Sequence, residues 1–175
     1  MRKWGICAAI AGLLYSIAIS CAAAEEAKCQ LVRFYSWPMT LNAVGHLTIP
    51  VPINGQPVNM LVDTGSFYSI LTRTTADQLH LPVQANPRAA IEMFGGEKSN
   101  LMATAKEVMI GPVALHDRPF FILSRNTDWY DGILGAEILR IFDVDFDFAG
   151  GKLNLYSQEH CPGKINYWSH TTPAI

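Results

Sequence analysis

Long basic stretches are missing from this sequence, and with them the electrostatic footprint of a nucleic-acid partner or an anionic membrane surface. Its 13 Lys and Arg stand against 15 Asp and Glu, a formal net charge of -2. The five histidines (His46, His80, His116, His160 and His170) fall in no H-x-x-x-H or Cys/His spacing, so no metal site is expected. There is no G-x-S-x-G string to seat a serine nucleophile. The pairs Gly95-Gly96 and Gly150-Gly151 have no Lys-Ser/Thr after them, which excludes a phosphate loop. No cofactor is expected. Internal repeats and low-complexity segments are absent as well.

Cysteine is scarce: four residues in 175. Cys7 and Cys21 fall in an N-terminal segment that differs from the rest of the chain. Met1-Arg2-Lys3 is a short positive head, an apolar stretch runs from Trp4 to Ile19, and Ala22-Ala23-Ala24 fits the small-residue rule for cleavage. Residues 1–24 therefore read as an export signal, the apolar run being too short for a membrane span. Ala18-Ile19-Ser20-Cys21 also resembles a lipoprotein cleavage box, which would make Cys21 a lipidated first residue. Cleavage after Ala24 removes Arg2 and Lys3 from the 13 basic residues, leaving 11 against 15 acidic, a net of -4. Cys29 and Cys161 remain, with no CxxC and no His-Asn partner, so one structural disulfide tying the two ends is expected in an oxidising compartment, periplasmic or extracellular.

What the chain does have is apolar residues, half of the total, arranged in short alternating runs. Residues 25–41 form a lead-in with a turn-like Trp37-Pro38, residues 42–157 a single domain, and residues 158–175 a tail. Gly45 to Pro52 reads as a strand, Asn54-Gly55 as a hairpin turn, and Val58 to Val62 as the return strand. Pro50 and Pro52 mark an edge or kinked strand. Residues 73–81 read as a helical turn stopped by Pro82. Ala89–Phe94 and Lys98–Val108 read as a hairpin with a Gly95-Gly96 tip, with further strands at Val108–Gly111, Arg118–Leu123, Val144–Phe148 and Lys152–Tyr156. The fold class is all-β.

Two strings carry chemistry. In Leu61-Val62-Asp63-Thr64-Gly65-Ser66, a strand delivers a carboxylate to a tight turn whose glycine admits close backbone approach. About 70 residues later comes Asp131-Gly132-Ile133-Leu134-Gly135, followed by a short helix. The pair, with the preceding hairpin, the glycine-tipped hairpin and the closing Asp147-Phe148-Ala149-Gly150-Gly151-Lys152-Leu153 turn, resembles the retropepsin-like, single-lobe aspartic proteases. The likeness covers about Gly45 to Tyr156.

The resemblance implies a closed β-barrel or sandwich with one short helix after Ile-Leu-Gly. It implies Asp63 as catalytic carboxylate, Thr64 as a brace to a second subunit, Gly65 as substrate-facing backbone and Ser66 as a hydrogen-bond partner of the carboxylate. Ile133, Leu134 and Gly135 would support the loop from beneath. Met93, Phe94, Gly95 and Gly96 would form a flap over bound polypeptide. Retroviral members often continue with an Arg-Asn or Arg-Asp brace; here Ala136-Glu137 stands instead, and no flap tyrosine is present.

Peptide hydrolysis by carboxylates needs two of them sharing one proton, one drawing a proton from water and the other binding the scissile carbonyl. No second D-[ST]-G occurs, so a second copy of the chain must supply the partner, which makes a homodimer a requirement of an aspartic endopeptidase. The alternative is an inactive, protease-like domain binding peptide or protein in the cell envelope. Asp143, Asp145 and Asp147 have calcium-loop spacing but lack its glycine and its closing glutamate; a solvent-facing strand edge is the better reading. Trp129-Tyr130, next to Asp131, could line a substrate pocket, but ordinary burial is the favoured reading.

Overall fold

The computed structural model of the protein describes residues 32–93, 96–125 and 127–158. Its elements in chain order are β1 (Arg33–Pro38), β2 (Thr40–Leu41), β3 (Leu47–Ile53), β4 (Gln56–Val62), β5 (Ile70–Thr72), α1 (Arg73–Gln78), β6 (Gln84–Ala85), β7 (Ile91–Glu92), β8 (Lys98–Ser99), β9 (Leu101–Ile110), β10 (Val113–Leu123), β11 (Gly132–Leu134), α2 (Ala136–Leu139), β12 (Asp143–Asp147) and β13 (Lys152–Tyr156). The all-β expectation holds.

Asn54-Gly55 turns the chain because both residues adopt positive φ, 49° and 78°, the twist that a two-residue hairpin needs. The same turn docks on a distant strand: Asn54 N–H donates to the Glu107 carbonyl, and Asn54 Oδ1 accepts from Glu107 N–H. Strand order β3-β4-β11-β5-β10-β9, with β9 returning to β3 at Ile53 and Val108, closes a six-stranded barrel. On its other side β3 pairs with β2 at Thr48 and Leu47. Between these two pairings lie Pro50 and Pro52, whose missing N–H groups suit an edge without a neighbour.

The barrel is filled by alternate side chains: Ile49, Val51, Met60, Leu71, Ala105, Val108, Phe120, Ile122 and Leu134 are buried. A second, three-stranded sheet in the order β1-β13-β12 adds Trp37, Leu153 and Leu155 to the same core. A smaller apolar cluster of Ile70, Phe121, Leu123 and Ile133 lies beneath β7.

Several sequence readings are revised. Trp37-Pro38 is the end of strand β1, not a turn, because β1 pairs with β13 along its length and buries the indole. The glycine-tipped hairpin is two residues on each side. Buried Ser99 ends it by donating to the Ile122 carbonyl, and the long strand that follows pairs with β10 instead. The helical readings stand: the turn read at residues 73–81 is α1, capped by the Thr72 hydroxyl on Thr75 N–H, and the short helix after Ile-Leu-Gly is α2. Asp143, Asp145 and Asp147 do lie on a strand but are half-buried, and two of them hold the β12–β13 hairpin. Asp145 Oδ2 accepts from Asn154, and Asp147 Oδ1 accepts from Gly150 N–H. No described helix is long and apolar enough to cross a membrane.

Candidate active site

Strand β4 ends by handing Asp63 to the surface. Parallel pairing with β11 places Leu134 beside Val62, and Asp63 N–H donates to the Leu134 carbonyl at 3.1 Å, so the turn leaves the barrel in a fixed direction. The chain then folds back on the carboxylate. Gly65 N–H reaches Asp63 Oδ1 at 2.8 Å, and Ser66 N–H reaches the same oxygen at 3.2 Å. Two backbone donors on one oxygen orient the half-buried carboxylate and leave Oδ2 for another partner. The Ser66 hydroxyl does not take part; it donates to the Tyr68 carbonyl at 2.8 Å. Thr64 is exposed.

The Ile133-Leu134-Gly135 stretch lies under this loop. Leu134 is core, Ile133 reaches the cleft, and Gly135 N–H donates to Ser69 Oγ at 2.9 Å. Asp131, one end of the same motif, ties β4 to the strand behind it. Its Oδ2 accepts from Asn59 N–H at 2.8 Å, and its carbonyl accepts from Thr72 N–H and the Thr75 hydroxyl.

Above Asp63 stands the β7–β8 hairpin, closed by Met93 N–H to the Glu97 carbonyl and by Gly96 N–H to the Met93 carbonyl. Gly96 has φ +81°, which a side chain resists. Phe94 and Gly95 lie outside the described residues. Hairpin and loop enclose a cleft of about 690 Å³ whose floor carries Asp63 and whose apolar wall is Leu61, Ile70, Ile91, Leu123 and Ile133. Its polar rim is His46, Glu92, Glu97 and Arg125, the last two paired at 3.8 Å.

Sequence reasoning missed part of this lining. Tyr130 faces the cleft and Trp129 is 45% exposed, so the favoured reading of ordinary burial fails for both, and the pocket alternative fits Tyr130. Phe67 and Tyr68, which follow the Asp63 loop, are also exposed, stacked edge-on with ring centres 4.7 Å apart. An aromatic pair directly after an active-site loop was the available signal. Among the described residues no cluster of His, Cys, Asp and Glu could hold a metal ion.

Residues 49–141 match the family model described as "gag-polyprotein putative aspartyl protease". No curated protein sequence matches the chain. Among solved structures, a retropepsin-like aspartic protease from Rickettsia conorii superposes with a TM-score of 0.54 at 20% identity, covering 74% of this chain and 96% of its own. EIAV protease, solved with the inhibitor HBY-793, gives a TM-score of 0.46 at 23% identity over 58% of this chain and 91% of its own. The retroviral protease-like domain of Ddi1 from Leishmania major gives 0.43 at 19% identity over 65% and 95%. The Rickettsia likeness shows the fold to be retropepsin-like.

Proposed function

Because the chain belongs to the gag-polyprotein aspartyl protease family, we propose that it is an aspartic endopeptidase working as a homodimer, with one Asp63 from each copy. The observation that carries this reading is the Asp63 carboxylate, held on one oxygen by Gly65 and Ser66 N–H groups at the floor of a cleft beneath a glycine-bent hairpin. A single such carboxylate cannot both activate water and hydrogen-bond the scissile carbonyl. A two-fold axis beside Asp63 supplies the second. Exposed Thr64, on the same loop, is then the contact to the opposing turn, and the flap strands pair with an extended polypeptide as an added strand.

In this reading the protein is exported, in the periplasm or outside the cell, with residues 1–24 removed or Cys21 lipidated. Support for a Cys29–Cys161 disulfide comes from the antiparallel pairing of β1 with β13 and from Ser157 N–H donating to the Val32 carbonyl. Val32 and Ser157, joined by that bond, lie three and four positions along the sequence from Cys29 and Cys161. Both cysteines, like the signal segment, lie outside the described residues.

The test is hydrolysis of unfolded casein across acid to neutral pH, with and without a statine-type inhibitor, by wild type and Asp63→Asn. Inhibitor-sensitive cleavage that falls by about 10²- to 10⁴-fold in the folded variant is expected. Casein binding with no cleavage by wild type would replace the enzyme with a peptide-binding domain. Sedimentation should give a dimer, and cleavage by a strict monomer would remove the shared-carboxylate mechanism.

A further inference from the structure

Glu137 stands where the sequence departs from the retroviral pattern, and the structure gives it a connection to the Asp63 loop. Its Oε1 accepts from Ser69 N–H at 2.7 Å, a short bond for an amide donor. Three neighbouring bonds join the same two segments: Ala136 N–H to the Ser66 carbonyl at 2.8 Å, Glu137 N–H to the Phe67 carbonyl at 3.2 Å, and Gly135 N–H to Ser69 Oγ. The clamped segment, Ser66–Ser69, begins with the residue whose own N–H holds Asp63 Oδ1.

The other carboxylate oxygen, Glu137 Oε2, is enclosed and has no hydrogen-bond partner. Enclosing such an oxygen costs stability, and a costly group of this kind calls for an explanation at the site it serves. Gly135 makes the enclosure possible. A Cβ there would stand 2.7 Å from Glu137 Oε2 and 2.6 Å from the Tyr68 carbonyl carbon, too close for either. The glycine thus lets carboxylate and loop close on one another.

We propose that Glu137 is a positioning residue for hydrolysis. By accepting from Ser69 N–H, it fixes the Ser66–Ser69 segment and, through it, the direction of the Asp63 carboxylate. The proposal rests on the peptidase reading and deepens it. Glu137 touches no reacting atom; its effect is transmitted through the loop backbone, where displacements well below 1 Å matter to rate.

The experiment compares Glu137→Ala and Glu137→Gln with wild type in two readouts. In steady-state cleavage of a peptide substrate, Glu137→Ala should lose about 10- to 100-fold in kcat with KM little changed. Glu137→Gln keeps an acceptor oxygen and should stay within about fivefold of wild type. In amide hydrogen exchange, performed in the Asp63→Asn background, residues 66–69 should exchange faster in the alanine variant and not in the glutamine variant. If Glu137→Ala fails to fold, Glu137→Asp replaces it; one methylene shorter, it withdraws the oxygen while keeping the charge. Wild-type kcat in a folded alanine or aspartate variant, or a glutamine variant as impaired as alanine, overturns the proposal. So does unchanged exchange at 66–69. A wild type without peptidase activity would sink the proposed function, whereas the exchange arm would still decide the clamp.

Discussion

Gly65 and Asp63 are locked together: the glycine N–H donates to Asp63 Oδ1 at 2.8 Å, and a Cβ at position 65 would stand 3.2 Å from that same oxygen. The approach is as close as an ordinary side chain could tolerate, so the carboxylate direction depends on the residue being glycine. Gly65→Ala should therefore fold, with its melting temperature within about 2–4 °C of wild type, because the strain amounts to about 1 kcal/mol or less. Peptide cleavage should fall about tenfold, since a few tenths of an ångström are displaced at the reacting group. Thermal melting and kcat on one preparation check both statements.

Gly132 shows the opposite balance. A Cβ there would meet the Ile70 carbonyl oxygen at 2.5 Å, Met60 Sδ at 2.8 Å and Leu71 Cδ2 at 2.9 Å. Two of these atoms belong to side chains in a packed barrel and one to backbone, so relief requires β11 to move between β4 and β5. Gly132→Ala should lose about 1–3 kcal/mol of stability. Urea unfolding monitored by circular dichroism measures it, and a midpoint equal to wild type would contradict the packing described.

Trp37 tests whether the segment before residue 42 belongs to the folded unit. Its side chain is 2% exposed and packs in the main core, edge-on against Tyr35. Trp37→Ala should cost about 3–5 kcal/mol, the range for truncating a buried large aromatic. A truncation starting at residue 42 should fail to give a cooperative melt. A stable truncated domain would mean that β1 is an accessory strand.

If Cys29 and Cys161 are bridged, non-reducing mass spectrometry of the exported protein should find no free thiol, and a peptide containing both cysteines after digestion. Reduction should lower the melting temperature, because releasing so long a loop restores about 5 kcal/mol of unfolded-state entropy in the chain-entropy model. Two free thiols in protein recovered from an oxidising compartment would dismiss the disulfide.

The legible parts were those with short-range causes. Asn54-Gly55 announced its turn through the positive φ that both residues then showed. Asp63-Thr64-Gly65 announced a carboxylate gripped by its own following backbone, and that grip is present. Strand β1 was not legible, because Trp37-Pro38 looks like a turn until β13 is alongside it. The length of the flap hairpin was misjudged because the competing partner for Leu101–Ile110 is β10, joined to it through Gly111. His46 and Arg125 could not be assigned to the cleft, since each reaches it from a separate stretch of chain.

From the amino-acid order alone came the all-β character and the aspartate turn. Each is settled by sterics and hydrogen bonds among residues a few positions apart. Only the folded barrel decided what that turn rests on. Leu134 receives the Asp63 amide and Glu137 the Ser69 amide, across separations of about 70 residues. Such pairings are selected by which apolar faces can be buried together, and that choice is made by the whole chain at once.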